Sequence, residues 1–111
     1  MSAPLSEFVV IIPDKDDAEC VSRRVAVRQE HLVGVKKLFA DGTMTSGGAY
    51  LDGPLTAEKP PFKGSVVTIL AESKEKVKEI MMKDVYSTNN VWDWDKAQIF
   101  NFACAVRRAK E

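Results

Sequence analysis

The chain has 111 residues, enough for one domain around one core. Its 45% hydrophobic and 29% charged residues argue against disorder. Sixteen basic residues against sixteen acidic ones leave no excess charge to draw a nucleic acid or an anionic membrane surface. The longest apolar runs, FVVII and VVTILA, are too short to cross a bilayer, and MSAPLSEFVV lacks the basic-then-apolar pattern of a secretory signal. Cys20 and Cys104 have no CxxC spacing, so they read as free thiols in a reducing compartment, and the expected location is the cytoplasm.

EFVVII at 7–12 is a β-branched apolar run closed by Pro13 and predicts the first strand. DKDD at 14–17 follows as a polar turn with acids suited to a helix start. From Ala18 to Asp41 the pattern is helical, with Val21, Val25, Leu32, Val35 and Phe39 on one side at about 100° per residue. Gly42 is placed to end that helix. TMTSGGAYL at 43–51 reads as the second strand, loosened by Gly47 and Gly48, and DGPLTAEKPPFKG at 52–64 as an exposed loop. SVVTILAE at 65–72 is the third strand. SKEKVKEIMMKD at 73–84 is the second helix, with Ser73 as N-cap and Val77, Ile80 and Met81 facing inward. VYSTNNVWDW then leads into the fourth strand, AQIFNFACAV, at 97–106.

The order βαββαβ predicts a ferredoxin-like α+β fold, a four-stranded antiparallel sheet with two helices on one face. It is expected as a single domain over 1–111 with its core at about 7–106. The strands are apolar on both sides: Phe8, Val10 and Ile12 alternate with Val9 and Ile11, Val66 and Leu70 with Val67 and Ile69, and Phe100 and Phe102 with Ile99 and Ala103. A sheet with one wet face alternates apolar with polar, and this one does not. The expected cover for the second face is another copy of the chain, giving a homodimer through the open sheet face. A monomer with its long loop folded over the sheet is the alternative.

His31 is the only histidine. It lies at the margin of the apolar helix stripe, with Arg28 near the stripe's centre, and two titratable groups on a packing side need partners. An isolated histidine is more often structural or exposed than catalytic. Asp41 is near in sequence but ten helical residues away, about 15 Å of rise, whereas a hydrogen bond needs about 3 Å. Asp41 is therefore read as a helix-end residue, and a partner for His31 must come from elsewhere. His31 alone cannot make a multi-histidine metal site, and TSGG and DGP lack the strand-to-helix context of a phosphate loop, so neither metal nor cofactor is expected. Phe100 and Phe102 alternate like RNA-stacking aromatics, but no basic surround supports that use.

RRVAVRQEHLVGVKKLFADG, then TSGG, PPFKGSVVTILAES and DVY, resemble in order and spacing the YCII-related (YciI-like) proteins of the dimeric α+β barrel superfamily, over about residues 8 to 106. The resemblance implies a His/Asp site, with His31 and Asp84 as the pair. It also implies that Arg28, Ser65, Tyr86 and Gly48 bind substrate. Two departures stand out: Val85 replaces a proline, and Asn89-Asn90 replace a glycine-containing turn. Trp92 and Trp94, which follow, are expected to shape the pocket or the dimer contact. The implied activity is that of a cofactor-independent lyase or isomerase for a small carbonyl, lactone or aromatic substrate, with His31 as a base oriented by Asp84. The alternative is a non-catalytic module that binds a small molecule in the same pocket.

Overall fold

A computed structural model describes residues 4–109; the ends of the expected domain over 1–111 lie outside the described residues. Strands β1 (Ser6–Pro13), β2 (Met44–Leu51), β3 (Phe62–Ala71) and β4 (Gln98–Asn101) form one sheet in the order β2-β3-β1-β4. All neighbours are antiparallel. Helices α1 (Cys20–Ala40) and α2 (Lys74–Met81) are joined by a short α3 (Val85–Thr88) and a 3₁₀ turn at Trp94–Lys96. The ferredoxin-like α+β arrangement is thus present, with one small helix more than the sequence pattern suggested.

Pairing register sorts the side chains by face. Val10 lies opposite Val67, so Phe8, Val10, Ile12, Val67, Ile69 and Ala71 share the helix side and are buried with Val77, Met81, Tyr86, Val91 and Trp92. Val9 pairs with Thr68 and with Phe100, which puts them on the other side beside Ile11 and Val66. That side stays partly open: Val66 is 36% and Phe100 47% exposed. One end of it is polar, where the Thr45 hydroxyl donates to Glu7 and meets Thr68 at 2.7 Å, and Arg107 bonds Glu7 at 2.7 Å.

Several local signals held. Ser73 caps α2 by accepting from the Lys76 N–H at 3.2 Å. Gly42 adopts φ 85° after α1, and the Asp41 carboxylate beside it accepts from the Thr43 N–H at 2.9 Å. Val77 and Met81 are buried, and Ile80 packs half-buried against the core.

The inward face of α1 is a correction. Val21 (60%), Val25 (67%) and Phe39 (62%) are exposed, while Leu32 and Val35 are half-buried. The face on the core runs one residue earlier, through Cys20, Arg24, Val27, His31 and Leu38. One residue is about 100° of helix rotation, so an apolar stripe lost to a polar one. The polar members of the packed face are tolerated because Asp14 and Asp84 pair with Arg24 and His31. Arg28, expected near the packed centre, is exposed.

Two element limits also differ. The loop expected over 52–64 ends early, because β3 begins at Phe62, where Leu51 offers a pairing partner. The fourth strand, expected over 97–106, covers only Gln98–Asn101. It pairs with Phe8–Ile11 at the sheet edge, and among the described residues beyond it the Phe102 N–H continues the backbone bonding to β1, at the Glu7 carbonyl.

Gly64 shows how tightly the β2–β3 crossing is packed. A Cβ there would run into the Ile12 carbonyl oxygen and lie 2.6 Å from the Tyr50 ring. Gly64→Ala is expected to cost about 1–3 kcal/mol by overpacking. At Gly34, inside α1, a Cβ would meet nothing within 4 Å, so Gly34→Ala is expected to add about 0.5–1 kcal/mol. Urea midpoints of the two variants, moving in opposite directions, check both.

Candidate active site

The site is built where α1 passes the turn after α2. His31 projects from the packed face of α1. Asp84 ends the α2 region and opens α3 as its N-cap, with backbone at φ −67°, ψ 143° and its Oδ1 accepting from the Tyr86 N–H at 2.8 Å. From there it meets the His31 Nδ1 at 2.8 Å through Oδ1 and 2.9 Å through Oδ2. Both side chains are largely buried, 14% and 11% exposed. An ionised carboxylate only accepts, so it selects a proton on Nδ1, and in the neutral ring the other nitrogen, Nε2, keeps its lone pair.

Valine in place of proline at position 85 leaves the Asp84 turn free of a ring constraint, and side-chain bonds fix it instead. The Ser87 hydroxyl donates to the Met81 carbonyl at 2.8 Å and accepts from the Trp94 indole at 2.9 Å. Asn90 takes the left-handed backbone, φ 57°, that the missing glycine would supply. The Val91 and Trp92 N–H groups both return to the Tyr86 carbonyl at 3.0 Å.

Around the pair stands an aromatic frame. The His31 ring stacks on Tyr86 at 3.7 Å and 12°, and Trp92 meets both rings edge-on at 5.8 and 5.5 Å. The Arg24 guanidinium packs over the same Tyr86 ring at 4.7 Å and over Phe62 at 5.2 Å. Arg24 and His31 are seven residues apart on α1, about 10 Å of rise, so they hold the tyrosine ring between them. Asp14, on the far side of Arg24, contacts it at 2.8 Å, and burial nonetheless pushes the Asp14 carboxyl above its ordinary value.

These groups face a cavity of about 420 Å³, lined by Arg28, His31, Ser65, Tyr86 and Gly48 among others. All the residues named from the sequence thus border one cavity except Asp84, which backs His31. Ser65 is buried, and its Oγ accepts from the Trp92 indole at 3.0 Å, which leaves its own proton for another acceptor. The Tyr86 hydroxyl bonds no side chain or backbone group among the described residues, and Tyr86 lines the cavity. Burial holds its phenol protonated by raising its pKa. Gly48 contributes backbone only, and a Cβ there would meet nothing within 4 Å.

Sequence reasoning placed Trp92 near the pocket but missed Arg24, Phe62 and Met44 in its wall. Arg24 was findable, because it precedes His31 by two helical turns and so shares its face. Among the described residues no group of three or more His, Cys, Asp or Glu side chains is placed to hold a metal ion. No helix there is long and apolar enough to cross a membrane.

Comparisons with known proteins give the family and the fold. Fusaric acid biosynthesis protein 2 of Gibberella fujikuroi is 34% identical over 92% of this chain and 97% of its own length. Aspartate kinase FUB3 of Fusarium oxysporum f. sp. lycopersici is 33% identical over 97% of this chain, which spans only 20% of that protein. Among solved structures, the 5-chloro-2-hydroxyhydroquinone dehydrochlorinase of Burkholderia phenoliruptrix AC1100, held in complex with 2,5-dihydroxybenzoquinone, superposes with a TM-score of 0.71 at 18% identity. That match covers 87% of this chain and 93% of that one, and it shows the shared fold. The YCII-related domain matches residues 6–102, and the chain belongs to that family.

Proposed function

We propose that the chain is a cofactor-independent lyase or isomerase for a small carbonyl, lactone or aromatic substrate, with His31 as the base and Asp84 as the group that orients it. The observation that carries this reading is the Asp84 carboxylate on the His31 Nδ1 at 2.8 Å, at the wall of the cavity. In the step proposed, Nε2 takes a proton from carbon next to a carbonyl, and the electron pair moves onto the carbonyl oxygen as an enolate. The Ser65 and Tyr86 hydroxyls stabilise that oxygen, and Arg28 meets an anionic group at the cavity mouth. Collapse of the enolate either expels a leaving group from the neighbouring carbon or returns the proton to a different carbon. A dehydrochlorinase on the same fold supports elimination as one of these outcomes.

The test follows hydrogen–deuterium exchange at acidic C–H positions by NMR in D₂O, for a panel of lactones and hydroxyquinones. Exchange catalysed by the wild type and lost in His31→Asn is expected. A chain that binds panel members but exchanges none would instead be a binding module.

The protein is also proposed to work as a homodimer joined through the open sheet face, since Val66, Phe100 and Phe102 lie uncovered there. Phe100→Asp is expected to shift its mass in solution from dimer to monomer, as light scattering after gel filtration would record. A wild type that is already monomeric rejects the interface.

A further inference from the structure

We infer that the inner end of the cavity is a seat for a carboxylate, formed by the Nε and Nη2 edge of Arg24, and that the ligand is a flat monoanion of aromatic size. Arg24 is only 7% exposed, so its donors must be satisfied or must face the cavity. Asp14 engages it from one side, both carboxylate oxygens lying 2.8 Å from Nη1 alone. Nε and Nη2 carry no hydrogen bond among the described residues, and no buried side-chain nitrogen there is left without a partner. Those two donors therefore reach accessible space, and the cavity is the space that Arg24 lines. Nε–H and Nη2–H lie parallel on one edge of the planar group, the fork that matches a carboxylate in two bonds.

The neighbouring arginine supplies the contrast. Arg23 spends Nη1 and Nη2 on Asp17 at 2.7 Å, and Nε and Nη2 on the Asn90 carbonyl at 3.2 and 2.8 Å. That is an arginine used wholly as structure. Arg24 is pinned just as firmly, by Asp14 behind and by Phe62 and Tyr86 on its faces, yet keeps its bidentate edge open.

Charge points the same way. Arg24 and Arg28 stand one turn apart on α1, a like-charge spacing that weakens a helix. Arg28 makes no ion pair among the described residues, and the cavity lining holds no carboxylate. Asp14 already opposes the Arg24 charge, and an anion bound between the two arginines would balance the charge of Arg28. Aromatic edges from Tyr86, Trp92 and Phe62 line the cavity and give an apolar surround for a ring-sized ligand.

The inference names the substrate class for the site proposed above and rests on that cavity being where substrate binds. Its test is independent of proton transfer, because the probe is benzoate, which offers no acidic C–H and no leaving group. Calorimetric titration compares benzoate with neutral benzamide on the full chain. Wild type is expected to prefer benzoate by about ten-fold or more, Arg24→Lys to lose most of that preference, and His31→Asn to keep it. In wild type, benzoate and not benzamide is expected to shift the Arg24 Nε–H resonance, a reading that needs no variant to fold. Equal affinity for the two probes, an unshifted Arg24 Nε–H, or a folded Arg24→Lys that keeps the preference overturns the carboxylate seat. Loss of exchange activity in His31→Asn with benzoate preference intact separates the base from the anchor.

Discussion

Asp84→Asn is expected to cut turnover by about 10²- to 10⁴-fold, with little change in thermal stability. The reason is which atom each oxygen serves. Oδ1 accepts from the Tyr86 N–H at 2.8 Å and also lies 2.8 Å from the His31 Nδ1, so an asparagine that keeps its carbonyl oxygen there divides one uncharged acceptor between two donors. Its amide nitrogen then occupies the place of Oδ2, 2.9 Å from the His31 Nδ1. An amide N–H donates and so opposes a proton on Nδ1, which shifts the histidine toward the Nε2–H tautomer and depletes the lone pair that faces substrate. Nitrogen NMR of the His31 ring reads this directly: Nδ1–H in the wild type, Nε2–H in the variant. A variant with the wild-type tautomer and undiminished exchange would remove Asp84 from the mechanism.

Tyr86→Ala is expected to destabilise the fold by about 3–5 kcal/mol, among the largest effects of any single side chain. The ring is 1% exposed and fills the space between His31 and Arg24, so its loss leaves a cavity and frees both neighbours. Tyr86→Phe separates packing from chemistry. It keeps the ring and removes a hydroxyl that bonds no described residue, so its unfolding midpoint is expected to stay within about 1 kcal/mol of wild type. Turnover should nevertheless fall by about 10²-fold if that hydroxyl meets the enolate oxygen. Chemical denaturation of the two variants, read beside their exchange rates, makes the distinction. An equally unstable Tyr86→Phe would show that the hydroxyl serves the fold.

The strands were legible because their signals are local. A β-branched run such as FVVII has few alternatives to a sheet, and Ser73, Asp41 and Gly42 carry their roles within a few residues. The face of α1 was not legible for the same reason. Periodicity counts apolar residues and so picked Val21, Val25 and Phe39, but Arg24 and His31 pack inward because carboxylates from other elements meet them. No pattern inside α1 contains Asp14 or Asp84. The fourth strand was overdrawn on similar grounds: the apolar alternation of IFNFACAV continues past Asn101, but β1 offers pairing only to Gln98–Asn101.

The sequence by itself determined the order βαββαβ, the apolar character of both sheet faces, and a resemblance that paired His31 with a carboxylate 53 residues away. The first two follow from residue type and spacing along the chain, and the third is what the family resemblance implied. Only the tertiary structure decided which helix stripe is inward, that Asp84 is aimed by the Tyr86 N–H and the Ser87 clamp rather than by a proline, and that Arg24 reaches the cavity with one edge unspent. Those facts depend on distances between elements far apart in sequence, and burial forces a polar side chain to find its partner wherever the fold has placed one.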